Sequence, residues 1–211
     1  MGYLGMKDSR NFYEIEQLLQ EVLNLLGEDI NRPGLARTPE LWAKALLEST
    51  AGLAVDPSDY LTASAEFGND QEKVVGDMVI VDNIAFISTC EHHMKPVHGR
   101  VHIGYMLNAT TTKVVGFSRL IKVVEALTHR LQLQERLTQE IAQIIDGVLK
   151  PTGVIVVVHA WHDCMIQTGS AEMKSSVITT ARRGLFAQRT DLEATFNKYL
   201  QLQIYPIGHE K

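Results

Sequence analysis

Apolar positions along the chain change period twice. In "SRNFYEIEQLLQEVLNLLG" the residues Phe12, Ile15, Leu18, Leu19, Val22 and Leu26 recur at the spacing of one helix face, and Gly27 stands where a helix would stop. In "RTPELWAKALLES" Thr38 suits an N-cap, Pro39 the first helical position and Glu40 the first turn, which predicts a second helix. Residues 51–73 mix Gly, Pro, Asp and Ser without periodicity and predict a loop. From Val74 the texture becomes strand-like. "VVGDMVIVDNIAFIST" and "VHGRVHIGYML" are rich in branched residues and bounded by Asn and Gly, and predict antiparallel strands.

Two helical segments follow over residues 118–129 and 134–149, ended by "KPTG" with its Pro151 and Gly153. "VIVVVHAWH" is a buried-strand run, "SSVITTA" a further short strand and "RTDLEATFNKYLQLQ" a closing helix. There is no repeat, low-complexity tract or linker. This order of helices, strands, helices, strands and helix predicts an α+β fold with an antiparallel sheet backed by helices. One domain over residues 1–211 is expected, with a helical region at 1–51 and the core at 74–200.

Composition narrows the function classes. A formal net charge of −5 with a pI of 5.9 offers no broad basic surface for a nucleic-acid backbone or an anionic membrane. No run approaches the ~20 apolar residues of a membrane span. The opening "MGYLGMKDSR" lacks the apolar core of a signal peptide, and Met6 stands where a myristoylation motif needs Ser or Thr. The expected location is the cytoplasm, where two cysteines serve as metal ligands, nucleophiles or buried core more often than as a disulfide.

Both cysteines stand beside histidines: Cys90 in "STCEHHMKPVHG" and Cys164 in "HAWHDCM", two residues after His162. A catalytic zinc site commonly takes three Cys/His ligands and leaves a fourth position for water. Cys90, one of His92 and His93, and Cys164 would supply that set, with iron(II) a less suitable occupant. His162 could instead complete a four-ligand structural zinc site, and buried thiols with surface histidines are the plain alternative. His98, Arg100 and His102 alternate along one strand and predict a polar sheet face.

Five ordered segments then carry a family resemblance: "STCEHH" with "VHGRVHIGY", "GFSRLIKVVEALTHRLQLQERLTQEIA", "LKPTGVIVV" and "HDCM". The chain resembles GTP cyclohydrolase I, the zinc enzyme that opens pteridine and tetrahydrofolate biosynthesis. The resemblance covers Thr38 to the last helix. It implies a tunnelling fold in which subunits join their sheets into rings and two rings stack as a homodecamer, with active sites between subunits. Carried over to this sequence, it implies Cys90, His93 and Cys164 as zinc ligands and His92, His162 and Ser118 as catalytic groups. Gln134 and Glu135 would grip the guanine edge, and Arg119 and Lys122 would bind substrate. The implied reaction adds water to C8 of GTP, expels formate and reorganises the ribose to give 7,8-dihydroneopterin triphosphate. Ser118 also suits a helix N-cap.

Departures concentrate where the family holds the triphosphate. Leu41 and Thr168 stand where arginines are usual, Arg119 and Lys122 exchange the usual lysine and arginine, Glu172 replaces a basic residue and His159 a glutamate. Two lost arginine–phosphate bonds would cost about 3–6 kcal/mol, a ~10²–10⁴-fold loss in binding. Arg182, Arg183, Lys44 and Lys95 are the cations that could replace them. Two further readings follow: a divergent cyclohydrolase acting on a less phosphorylated or modified purine, and a non-catalytic relative stabilised by zinc.

Overall fold

The computed structural model describes residues 10–62, 65–66, 78–108, 113–167 and 175–201. Helix α1 spans Arg10–Leu25 and α2 Thr38–Ser49. Gly27, at φ +86°, takes the left-handed conformation that turns the chain out of α1. Helix α2 begins at Thr38, with Arg37 at the cap position and Pro39 in the first turn. Phe12 and Leu19 of α1 close over Ala43 of α2 in an apolar cluster of their own.

The segment expected to be a loop contains more structure than its composition suggests. A 3-10 turn runs over Ala51–Ala54 and a short helix, α3, over Asp59–Thr62. Both are held from far along the chain: the Arg130 guanidinium donates to the carbonyls of Gly52 (3.0 Å) and Val55 (2.9 Å), and the Arg119 guanidinium to that of Tyr60 (3.1 Å). Strand β1, Ala65–Glu66, then pairs with β4, Lys113–Val114.

The main sheet is built from β2 (Met78–Cys90), β3 (Pro96–Met106), β5 (Leu131–Gln132), β6 (Gly153–His162) and β7 (Val177–Gly184), in the order β5-β2-β3-β6-β7. Pairing is antiparallel throughout except at β5, whose two residues run parallel to Thr89 and Cys90. Between β4 and β6 come α4 (Phe117–Thr128) and α5 (Gln134–Leu149). The chain closes with α6 (Asp163–Gln167), α7 (Leu185–Gln188) and α8 (Thr190–Gln201). This is the expected α+β architecture. Among the described residues no helix is long and apolar enough to cross a membrane.

Strand alternation decides what each sheet face does. Phe86, Val97, Val101, Ile103, Val156 and Val158 point to one face and bury against Leu120, Val123 and Leu127 of α4 and Leu137, Ile141 and Ile145 of α5. The other face is covered only at one end, where Met106 and Ile155 pack with Phe186 of α7 and Phe196 of α8. Its uncovered end carries His98, Arg100, His102, His159 and Trp161, which agrees with the polar face expected from alternation. A bulge between Val81 and Ile84 is anchored there: Asn83, at φ +57°, donates its N–H to His102 Nδ1 (3.2 Å).

Gly99 sits close against β6, and a Cβ there would lie 2.2 Å from the His159 carbonyl oxygen. Gly147, inside α5, has open space around it. Gly99→Ala is therefore expected to destabilise by about 1–3 kcal/mol, and Gly147→Ala to stabilise by about 0.5–1 kcal/mol through helix propensity. Thermal unfolding should shift by about 2–4 °C per kcal/mol for a chain of this size, downward for the first and upward for the second.

Candidate active site

The end of the sheet where β2 stops and β3 starts is also where β6 stops. Val97 pairs with Ser88 on one side and His162 on the other, so alternation puts Ser88, Cys90, Val97 and His162 on the same helix-backed face. The β2–β3 connection is closed by the Cys90 N–H donating to the Lys95 carbonyl (2.8 Å) and the Met94 N–H to the Cys90 carbonyl (2.9 Å). That turn brings residues three apart together, and His93 Nδ1 lies 3.9 Å from Cys90 Sγ. On the far side, the chain leaves β6 at His162 and enters α6, whose second residue, Cys164, reaches within 4.0 Å of Cys90 Sγ.

All ligating atoms of Cys90, His93 and Cys164 fall within 4.8 Å of one another, and they form the one group of three His, Cys or acidic side chains with this spacing among the described residues. Bonds of about 2.3 Å to sulfur and about 2.0 Å to nitrogen in a tetrahedron put donor atoms about 3.5–3.8 Å apart, so the two separations from Cys90 need to close by a few tenths of an ångström, and the widest separation by about 1 Å, to hold a soft divalent cation. Cys90 is buried, Cys164 half-buried and His93 exposed. Burial, and then the neighbouring Cys90 thiol, push the Cys164 pKa up. A cation between the two sulfurs would reverse that effect.

The remaining expected residues divide into two groups. His162 lies within the first group, half-buried, with its Nε2 2.7 Å from Gln134 Oε1. Burial lowers its pKa, with the Glu135 carboxylate opposing and His98 adding to the effect, which favours the neutral ring. Gln134 is buried at the start of α5, and Glu135 beside it is exposed. His92 is exposed, its ring edge-on to His93 at 6.0 Å. A connection that the sequence did not suggest ties these parts together. Arg136 of α5 makes a two-pronged ion pair with Glu91 (2.7 and 3.0 Å), so the turn bearing His93 is fastened to the helix bearing Gln134 and Glu135.

Ser118, Arg119 and Lys122 form the second group, at the other end of α4. Thr128, the last residue of α4, lies close to β5 and Cys90, whereas Ser118 is about 15 Å away along the helix axis. Ser118 is exposed and lies inside the helix; Gly116 takes the cap position, which corrects the N-cap expectation. Arg119 donates to the Tyr60 carbonyl (3.1 Å), and the Lys122 ammonium sits 5.8 Å above the Tyr60 ring. One chain therefore does not bring these three residues to the cysteines.

Leu41, where an arginine was expected, is half-exposed on α2. Thr168 and Glu172 lie outside the described residues. His159 bonds Ser176 Oγ (2.8 Å) and packs against Trp161. Of the cations that could substitute, Arg182 is paired with Glu193 and Lys44 with Glu48, while Lys95 belongs to the β2–β3 turn.

Comparison with known proteins agrees with this geometry. The family model described as GTP cyclohydrolase I matches residues 15–201. A GTP cyclohydrolase 1 of Saccharomyces cerevisiae is 41% identical over 85% of this chain and 71% of its own length. One from Saccharolobus islandicus is 39% identical over 89% and 90%, and one from Bacteroides thetaiotaomicron is 41% identical over 90% and 92%. The cysteine and histidine group, the α+β sheet that assembles it and these matches along most of the chain lead to one conclusion: the chain belongs to the GTP cyclohydrolase I family.

Proposed function

We propose that this protein opens the imidazole ring of the guanine in GTP at C8 by hydrolysis, releasing formate and forming 7,8-dihydroneopterin triphosphate, with Zn²⁺ held by Cys90, His93 and Cys164. The observation that carries the reading is the convergence of two sulfurs and an imidazole nitrogen beside His162 and the first turn of α5. Zinc bound there would act as a Lewis acid on water at its open fourth position.

The side chains supply the rest. Glu135, exposed next to His162, accepts from the guanine ring N–H and the exocyclic amino group and so orients C8 toward the cysteines, with Gln134 behind it. As the oxygen of water bonds to C8, the π pair of the C8–N7 double bond moves to N7, and His162 delivers a proton there; the hydroxyl adduct then collapses as C8–N9 breaks, its hydroxyl proton passing to N9, to leave a formamide on N7. A second water cleaves that formamide to formate. His92 and Ser118 assist opening of the ribose ring by moving protons at its oxygens.

Ser118, Arg119 and Lys122 stand apart from the cysteines within one chain, which supports an assembly in which a neighbouring copy completes the site. Among the described residues, strand β7 is one unpaired edge of the sheet, and β2 beyond its two residues paired with β5 is the other, so copies could join edge to edge into rings of the proposed homodecamer. The exposed Leu41, and the internal ion pairs of Arg182 and Lys44, favour a second reading in which the substrate is a less phosphorylated purine.

Formate release by the zinc-loaded protein, measured in parallel with GTP, GDP, GMP and guanosine, is expected to be fastest with GTP. Turnover restricted to a compound with fewer phosphates would establish the second reading, and none with any of the four would remove both. His162→Ala is expected to keep one zinc per chain while formate release falls about 10²–10⁴-fold. Cys164→Ala should lose both together, as metal analysis after gel filtration would reveal; activity retained in a metal-free variant would contradict the ligand set.

A further inference from the structure

Gln134 stands where the guanine edge was expected to be gripped, yet its amide is already engaged at both ends. Only 4% of its surface is exposed. Its Nε2 lies 3.0 Å from the Val158 carbonyl of β6, 3.0 Å from the Val177 carbonyl of β7 and 3.2 Å from Thr179 Oγ1. An amide nitrogen has two hydrogens, and these three acceptors share them.

The two carbonyls also fix which way the amide faces. Turning it over would set Oε1 against two backbone oxygens in a buried place, where no hydrogen could relieve the repulsion. A ring of hydroxyls adds to the constraint. Thr138 Oγ1 donates to the Gln134 carbonyl (2.7 Å), which leaves its lone pairs to accept from Thr179 Oγ1 (2.6 Å), and Thr179 in turn accepts from Gln134 Nε2. Every donor in this loop has one direction open to it. Gln134 Oε1 therefore faces His162 Nε2 at 2.7 Å, and because an amide oxygen only accepts, His162 Nε2 carries the hydrogen.

From this geometry we infer that Gln134 is a positioning residue that locks His162 in its Nε2–H tautomer, so that Nδ1 is the nitrogen that exchanges a proton with the reacting groups. The inference deepens the function proposed above and rests on it for its chemical consequence. With Nε2 donating to Gln134, the bare Nδ1 starts as a base. The attacking water gives a proton to Nδ1 as its oxygen bonds to C8 and the C8–N7 electron pair moves to N7; Nδ1 then returns that proton to N7. No proton is gained or lost across the two transfers, and Nε2 keeps its hydrogen on Gln134 throughout. Glu135 remains the side chain that meets the guanine edge.

Long-range proton–nitrogen correlation spectra of the zinc-loaded protein labelled with ¹⁵N-histidine test this without substrate, with the His162 signals identified by their loss in His162→Asn. Wild-type His162 is expected to show a protonated Nε2 and a bare Nδ1. Gln134→Met keeps the side-chain bulk and removes the acceptor, and it should mix the two tautomers. In the same variant, kcat for formate release should fall about 10–100-fold, the usual effect of losing a partner that orients an active-site group, with KM for GTP changed less than about threefold. A wild-type ring protonated at Nδ1 would overturn the inference by itself, even if the variant fails to fold. Unchanged His162 signals in Gln134→Met together with a raised KM would also overturn it, returning Gln134 to the guanine edge. An Nε2–H tautomer that depends on Gln134, in a protein that releases no formate from any guanine compound, would uphold the lock while removing the reaction proposed for it.

Discussion

Two sulfurs held 4.0 Å apart set the terms for the rest of this structure. As thiols they are merely small apolar groups, but two thiolates at that distance repel by about 4 kcal/mol at an effective dielectric constant of 20. Burial and the proximity of Cys90 keep the Cys164 proton on for this reason. A divalent cation turns the repulsion into attraction, and the His93 ring at 3.9 Å adds a neutral ligand that leaves the total charge at zero. Residues far apart in sequence can meet so closely because β2 beyond its bulge, β3 and β6 keep continuous antiparallel register up to the end of the sheet they share.

That register does a second thing. It fixes the sheet face of His162 along with that of Cys90, and the same face is backed by α5. The first turn of α5 then reaches the cysteines from two directions: Gln134 bonds His162, and Arg136 grips Glu91 in the turn that carries His93. The Arg136–Glu91 pair is largely exposed and adds little to stability by itself. Its value is geometric, because it removes freedom between the turn and the helix, and a displacement of about 1 Å between reacting groups is enough to slow a reaction markedly.

What the sequence made legible follows from the range of each interaction. The helices over Arg10–Leu25 and Gln134–Leu149 announced themselves through apolar periodicity, and the β2–β3 pair through alternation, because those signals reside in neighbouring residues. Spacing left both His92 and His93 open as the partner of Cys90; the resemblance implied His93, and a turn that joins residues three apart brings its ring to the sulfur. The 3-10 turn at Ala51–Ala54 and the helix at Asp59–Thr62 were missed because distant arginines, Arg130 for the Gly52 and Val55 carbonyls and Arg119 for the Tyr60 carbonyl, satisfy them, and no local pattern records that. Strand β5, with two residues, is too short to leave a period. Ser118 has the residue type of a cap but stands two positions too late. The engagement of Gln134 was invisible for a different reason: residue type states what an amide can bond, and only the positions of the Val158 and Val177 carbonyls state what it does bond.

Distance within one chain bears on how such a site could treat a nucleotide. The metal-ligating group, His162 and Glu135 lie at one end of the sheet; Ser118, Arg119 and Lys122 lie at the other end of α4 and cluster round Tyr60. A base bound by Glu135 near the cysteines cannot place its ribose and phosphates against Ser118 of the same chain across about 15 Å of helix. The same three residues on an adjoining copy could approach from the sheet edges left unpaired among the described residues. On the proposed reaction, base chemistry would then be served by one subunit and sugar chemistry by two. Arg119 would approach the phosphates with part of its guanidinium already bonded to the Tyr60 carbonyl, so the Arg119–Lys122 exchange leaves the ammonium of Lys122 as the more adaptable of the two cations.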